Sequence, residues 1–193
     1  YQYLVWAADQ QSFYQKVNEE CIADETVQQQ VKVKKDLLKN TTGNDSIFTT
    51  YIEANLPPRY FSDIASSHFF YTPTIAGDSV AGLIPIGQSR RTKEAWLKKF
   101  LTNTTYEIAI PALRDPALAP HGKTGLIISV LFDYALAKEI LKDNWYKEFK
   151  ELCQNLMIHL LDENIFPGLA EKAEAVFSST PISIEKRTGN FQG

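Results

Sequence analysis

Residues 124–160 carry the strongest constraint on what this chain can fold into. The run Thr124–Phe132 is apolar and rich in branched side chains over strand length, and helical periodicity follows, with Trp145, Phe149, Leu152, Leu156 and Leu160 on one stripe. Lys147, Lys150, Glu151 and Gln154 fall on the opposite side. A strand and a long amphipathic helix each leave an apolar face that must be buried, so the chain requires a sheet with helices laid against it.

The rest of the chain repeats that mixture. Residues 1–7 alternate and are rich in aromatic and β-branched types, which predicts a strand, and Asp9 is placed to cap a short helix to about residue 17. Asp24 is placed to cap a second helix to about residue 38, with Val27, Val31 and Leu38 on one face, although residues 31–34 also read as a strand. Residues 40–45 form a turn cluster. Residues 46–53, 67–72 and 105–110 read as strands, the first stopped by Leu56-Pro57-Pro58.

Residues 73–89 read as a Gly- and Pro-containing connection with a short strand near 80–84, and residues 111–122 as a Pro-rich connection between paired strands. Between them, residues 92–101 set Trp96, Leu97 and Phe100 at helical spacing beside Lys93, Lys98 and Lys99. Residues 135–141 are helical, and Asn144 is placed to cap the long helix. Pro167 is placed to open a short helix to about residue 176, and residues 178–186 read as a last strand. The expected class is α+β: one mixed, mostly antiparallel sheet with helices packed mainly on one face, in a single domain over residues 1–193.

With 44% hydrophobic residues the chain can fill a core. Its net charge of −3 and dispersed basic residues argue against nucleic acid as a partner. No apolar run approaches the roughly 20 residues that span a bilayer. Cys21 and Cys153 make no metal-ligand spacing and read as two buried free thiols, which fits a cytoplasmic location. The N-x-Ser/Thr matches at Asn40, Asn44 and Asn103 read as polar loops.

Intact catalytic motifs are absent. There is no G-x-G-x-x-G, and Gly122-Lys123-Thr124 lacks the glycine a phosphate-binding loop needs at position 117, which is Ala. His68, His121 and His159 are too scattered to define a triad or a metal site, so no metal is expected. Arg90-Arg91 reads as a solvated basic pair. Aromatic residues are dense from Phe48 to Tyr71; part of that set must fill core, and Tyr51, Phe69 and Tyr71 are candidates to line an apolar pocket.

Three stretches resemble the family of flavoproteins that includes phytoene desaturases, carotene isomerases and retinol saturases. Phe166-Pro167-Gly168-Leu169, followed by Ser179-Thr180-Pro181-Ile182-Ser183-Ile184-Glu185-Lys186-Arg187-Thr188-Gly189-Asn190, is similar to that family's Thr-Pro strand and Glu-Arg-x-Thr-Gly-Asn run, with Lys186 where Arg is common. The stretch Asp115-Pro116-Ala117-Leu118-Ala119-Pro120-His121-Gly122-Lys123 is similar to Asp-Pro-Ser-x-Ala-Pro-Pro-Gly-Lys, with His121 where Pro is usual. Val5-Trp6-Ala7-Ala8-Asp9 looks like the strand by which the family leaves its flavin domain.

The resemblance implies the substrate-binding middle region of an FAD-dependent oxidoreductase acting on a long apolar, carotenoid- or isoprenoid-like substrate. The chain starts at Tyr1 and its one methionine is Met157, which reads as a piece of a longer protein. Residues 1–9 and 185–193 would then border an FAD-binding domain, with Thr188, Gly189 and Asn190 nearest the flavin, and the isolated region would be inactive. The helix around Trp96 and Phe100 is the candidate for a peripheral membrane contact. Two other readings stand beside this one: an amine-oxidase-like flavoenzyme on a smaller polar substrate, and a non-catalytic module that binds lipid or protein.

Overall fold

The computed structural model describes residues 2–39, 41, 45–75, 79 and 81–193. At its centre β1 (Ser46–Ala54) and β4 (Thr124–Phe132) pair antiparallel along their full lengths, from Ser46 opposite Phe132 to Ala54 opposite Thr124. Both are rich in Ile, Phe and Thr, whose branched or flat side chains suit a pleated surface. On one side β5 (Ala173–Ser179) joins β1; on the other β3 (Tyr106–Ala109) joins β4 and β2 (His68–Tyr71) joins β3. The order is β2-β3-β4-β1-β5 and each of these ladders is antiparallel.

Alternation along the strands then sorts the side chains. Phe48, Ile52 and Ala54 of β1, Tyr106 and Ile108 of β3, and Leu126, Ile128, Val130 and Phe132 of β4 are buried on one side of the sheet. There they share a core with Leu97 and Leu101 of α4 (Arg90–Leu101), Leu136 and Ile140 of α5 (Tyr134–Lys142), and Phe149, Cys153, Met157 and Leu161 of α6 (Tyr146–Asn164). Phe149 packs edge-on against Phe48, with ring centroids 5.5 Å apart. The α+β class with helices on one sheet face is therefore the observed one.

Near the start, α1 (Gln10–Lys16) is capped by the Asp9 carboxylate and α2 (Glu25–Lys39) receives the same service from Asp24, both at the expected places. Residues 31–34 are helical, which resolves their ambiguity. The helix α3 (Pro58–Ser62) follows the two prolines that stop β1. Residues 111–122 contain two 3₁₀ turns, Pro111–Leu113 and Pro116–Leu118.

Several expectations are corrected. Residues 2–7 form no strand, because alternation alone makes none without a ladder partner, and they have none among the described residues. Residues 81–84 are irregular, and Val80 lies outside the described residues. In the turn cluster at 40–45 only Thr41 and Asp45 are described. Asn144 does not cap α6: it sits at φ 61°, and buried Trp145 occupies the cap position without a side-chain bond. The deepest stripe of α6 runs through Phe149, Cys153, Met157 and Leu161, with Leu152, Leu156 and Leu160 on its half-buried flank.

The largest correction lies at the end of the chain. The helix after Pro167 is a single turn, α7 (Leu169–Lys172), begun by Gly168 at φ 89°, and the residues from 173 onward already belong to β5. The expected last strand is a helix from its middle, α8 (Pro181–Thr188). Thr180 and Ser183 satisfy each other's backbone N–H groups in a capping box, and Pro181 supplies a preset φ at the first helical position. These local bonds outweigh the strand-like alternation of Ile182 and Ile184. Cys153 is buried as expected, but Cys21 is exposed.

Candidate functional site

Among the described residues the side of the sheet opposite α4, α5 and α6 is partly open, with apolar and polar side chains on it, Thr49 buried and the Pro-rich connection lining its Gly125 end. Its central row runs His68, Ala109, Ile127, Tyr51, Phe177 across all five strands, as the registers align them. Tyr51 and Phe177 stack with centroids 4.7 Å apart and 13° between planes. The next row is Phe70, Glu107, Ser129, Thr49, Ser179, in which the hydroxyls of Thr49 and Ser129 are 3.0 Å apart. Beyond it Leu131 faces Ile47. Leu131, Phe70 and Phe177 are each more than 60% exposed, a large apolar load for a sheet face.

Two grooves lie on this face. One of about 220 Å³ is lined by Tyr51, Gly125, Ile127 and Phe177 from the sheet and by Leu118 and Pro111 from the Pro-rich connection. The other, about 300 Å³, is lined by Ile47, Phe70, Glu107, Ser129 and Leu131. The face also carries His68 and Glu107, with Nε2 2.8 Å from Oε1, and Glu53, which pairs with Lys123.

Of the candidate pocket residues, Tyr51 lies on this open face. Phe69 and Tyr71 lie on the other side of β2, packed against the core, so the structure does not bring the three together. The residues that do accompany Tyr51 are Phe177, Ile127, Leu131 and Ile47. A signal for them was present: Thr124–Phe132 is apolar at nearly every position, the mark of a strand with two apolar faces rather than one.

A second feature joins the two ends of the described chain. The Ser12 hydroxyl donates to the Gly189 carbonyl at 3.1 Å, and Gly189 closes α8 at φ 74°. Ala7, Ala8 and Asp9 face Asn190, Phe191 and Gly193 across a shallow groove of about 370 Å³. Partial burial opposes ionisation of Asp9, but the Ser12 amide and hydroxyl and the amides of Gln11 and Phe191 outweigh it and hold the carboxyl below its usual range. Thr188, Gly189 and Asn190 thus sit beside the Ala-Asp segment at the other end of the chain.

The other sequence candidates have structural roles. Lys123 bridges Glu174 and Glu53 at 2.6 Å each, and these carboxylates raise its pKa above the ordinary lysine range. Arg90 pairs with Glu94 and lies 4.9 Å over the Trp145 ring. His159 is exposed on α6. Lys93, which the sequence sets beside Trp96, Leu97 and Phe100 on an amphipathic helix, is fully buried and bonds Asp143 at 2.6 Å and Glu139 at 3.4 Å. Among the described residues no group of His, Cys, Asp and Glu is placed to hold a metal ion, and no helix is long and apolar enough to cross a membrane.

No family model matches this chain, and no curated protein matches it.

Proposed function

We propose that this chain is the substrate-binding region of an FAD-dependent oxidoreductase resembling the phytoene desaturases, and that its open sheet face receives a long apolar, carotenoid- or isoprenoid-like substrate. The observation that carries this reading is the group Ile127, Tyr51 and Phe177 opposite the helices, with Leu131 and Ile47 further along the strands, two residues beyond the Thr49–Ser129 hydroxyls. From Leu131 to Gly125 the face extends roughly 20 Å at about 3.4 Å per residue, enough for an extended polyene segment. Large flat side chains with few polar groups suit such a ligand.

FAD would supply the redox chemistry. The described residues do not fit a dinucleotide by themselves, since no Gly-rich turn leads from a strand into a helix among them. Support for a neighbouring flavin unit comes from the two segments the resemblance assigns to the domain crossings, which lie side by side through Ser12 and Gly189. The exposed Tyr3, Leu4 and Val5 would find a ladder partner there. In this reading the region desolvates and orients the substrate, and the protein works in the cytoplasm, where both free cysteines persist as thiols.

The test is titration of the chain with a detergent-dispersed carotene, read by induced circular dichroism of the polyene. Binding is expected, weakened at least tenfold by Leu131→Asp or Phe177→Asp. No binding, or binding indifferent to both substitutions, overturns the proposal. Tight stoichiometric binding of FAD by this chain overturns its assignment as the non-nucleotide region.

The hydrogen-bonded pair His68–Glu107 on the same face favours a second reading, an amine-oxidase-like enzyme on a smaller polar substrate. Binding of a primary amine that Glu107→Gln abolishes, with no binding of carotene, would select it.

A further inference from the structure

We infer that β5 pairs along its outer edge with β5 of a second copy of this chain, antiparallel about a two-fold axis at Phe177, so that two sheets join into one. This pairing does not depend on the function proposed for the open face. β5 stands at the end of the order β2-β3-β4-β1-β5, and among the described residues only β1 pairs with it. The outer side of an edge strand presents N–H and C=O groups that water or another strand must satisfy. Proteins blunt such edges with short strands, lysine, proline or a bulge. β2, the opposite edge, has four residues, whereas β5 has seven. From Ala175 to Ser179 there is no charge and no proline, and the register with β1 is regular, the shift lying at Glu53 and Ala54 opposite the start of β5. The strand's one charged residue, Glu174, is drawn onto Lys123 at 2.6 Å.

The same run is complementary to itself. A two-fold axis at Phe177 sets Val176 opposite Ser178 and Ala175 opposite Ser179, so no charges meet and no bulky side chains collide away from the axis. Opposed residues of an antiparallel pair share one side of the sheet. Ala175, Phe177 and Ser179 of both copies therefore stay on the open face, with Tyr51 and Thr49, and Val176 and Ser178 stay on the helix side.

Phe177 makes the pairing specific. Tyr51 stacks on it at 4.7 Å, and among the described residues this is its one ring contact, which leaves the side chain largely exposed at the margin of the sheet. Directly opposed side chains of an antiparallel pair lie about 4.5–5.5 Å apart at Cβ, and aromatic pairs there are favourable. The two-fold axis continues the row of Tyr51 and Phe177 into the same two rings of the second copy and covers the exposed ones. A strand of another sequence would supply the backbone bonds without that ring pair.

The experiment is sedimentation velocity of the chain over a concentration series, which is expected to show a reversible dimer. Phe177→Lys and Phe177→Glu each set like charges face to face on the axis and should weaken dimerisation roughly tenfold or more. Mixed in equal amounts the two variants should associate again, because the axis then pairs an ammonium with a carboxylate. Position 177 is exposed, and far-UV circular dichroism checks that both variants fold. The register has its own test, made with exposed Cys21 replaced by Ser. Oxidation of Ala175→Cys mixed with Ser179→Cys should give a cross-linked dimer, and either variant alone should not, since identical residues off the axis lie beyond disulfide reach. Phe70→Lys, on the opposite edge strand, should leave the dimer unchanged. A monomer at every concentration, a dimer that survives Phe177→Lys, no recovery on mixing, or cross-linking within a single variant overturns the inference. Loss of the dimer through Phe70→Lys instead would move the contact to β2 and also overturn it.

Discussion

Phe177 of β5 lies flat on Tyr51 of β1, the ring planes 13° apart, on the side of the sheet that no helix covers. The pair contributes stacking but little burial, since Phe177 is 62% exposed. Phe177→Ala is therefore expected to cost about 1 kcal/mol in stability. Phe48→Ala, on the covered side of β1, should cost about 3–5 kcal/mol. Urea denaturation of the two variants measures the difference, and equal losses would mean that the open face is part of the folding core.

Lys93 gives a prediction with an asymmetry. Its ammonium is fully buried, while its partners Glu139 and Asp143 are partly exposed. Lys93→Met removes the buried charge and leaves two carboxylates that water can reach, so the loss should be small. Glu139→Gln combined with Asp143→Asn strands a buried cation and should cost about 3–5 kcal/mol. Thermal unfolding of the two variants would show the double substitution to be the more damaging.

Alkaline titration addresses the joint between α5 and α8. Burial, and then the hydrogen bond from its hydroxyl to Glu185 at 2.7 Å, push Tyr134 up to about 12. A raised pKa means that the neutral phenol is favoured in the folded chain. Its contribution is complete below pH 10 and is lost as the pH rises through about 12. In absorbance at 295 nm, Tyr134→Phe should remove one late-ionising tyrosine. A Tyr134 that titrates near pH 10 would contradict the buried contact.

Thr180 tests the helix that replaces the expected strand. Thr180→Ala removes the side-chain half of the capping box and should cost about 1 kcal/mol. Carbon chemical shifts should read helical from Pro181 to Thr188 in the native chain and fray at Pro181 and Ile182 in the variant. Extended shifts over these residues in the native chain would restore the strand.

Local chemistry explains which expectations held. Thr124–Phe132 and Ser46–Ala54 are long, branched and apolar, and Asp9 and Asp24 are caps whose bonds reach only two or three residues, so both kinds of signal are complete within the sequence. The failures occurred where two local signals compete or where a partner is distant. Ile182 and Ile184 alternate like a strand, but Pro181 and the Thr180–Ser183 bonds favour a helix. Residues 1–7 read as a strand as well, and residues 2–7 have no ladder to join among the described residues.

The sequence by itself determined that a sheet and amphipathic helices must be laid together, and it marked the strands at the sheet's centre. Only the tertiary structure decided which sheet face stays open, because a one-residue change of register would exchange the two faces of a strand as apolar as β4. That choice put Tyr51 with Phe177 and Leu131 in the open and turned Phe69 and Tyr71 inward. It also buried Lys93, whose two carboxylates arrive from a helix that sequence spacing does not place beside it.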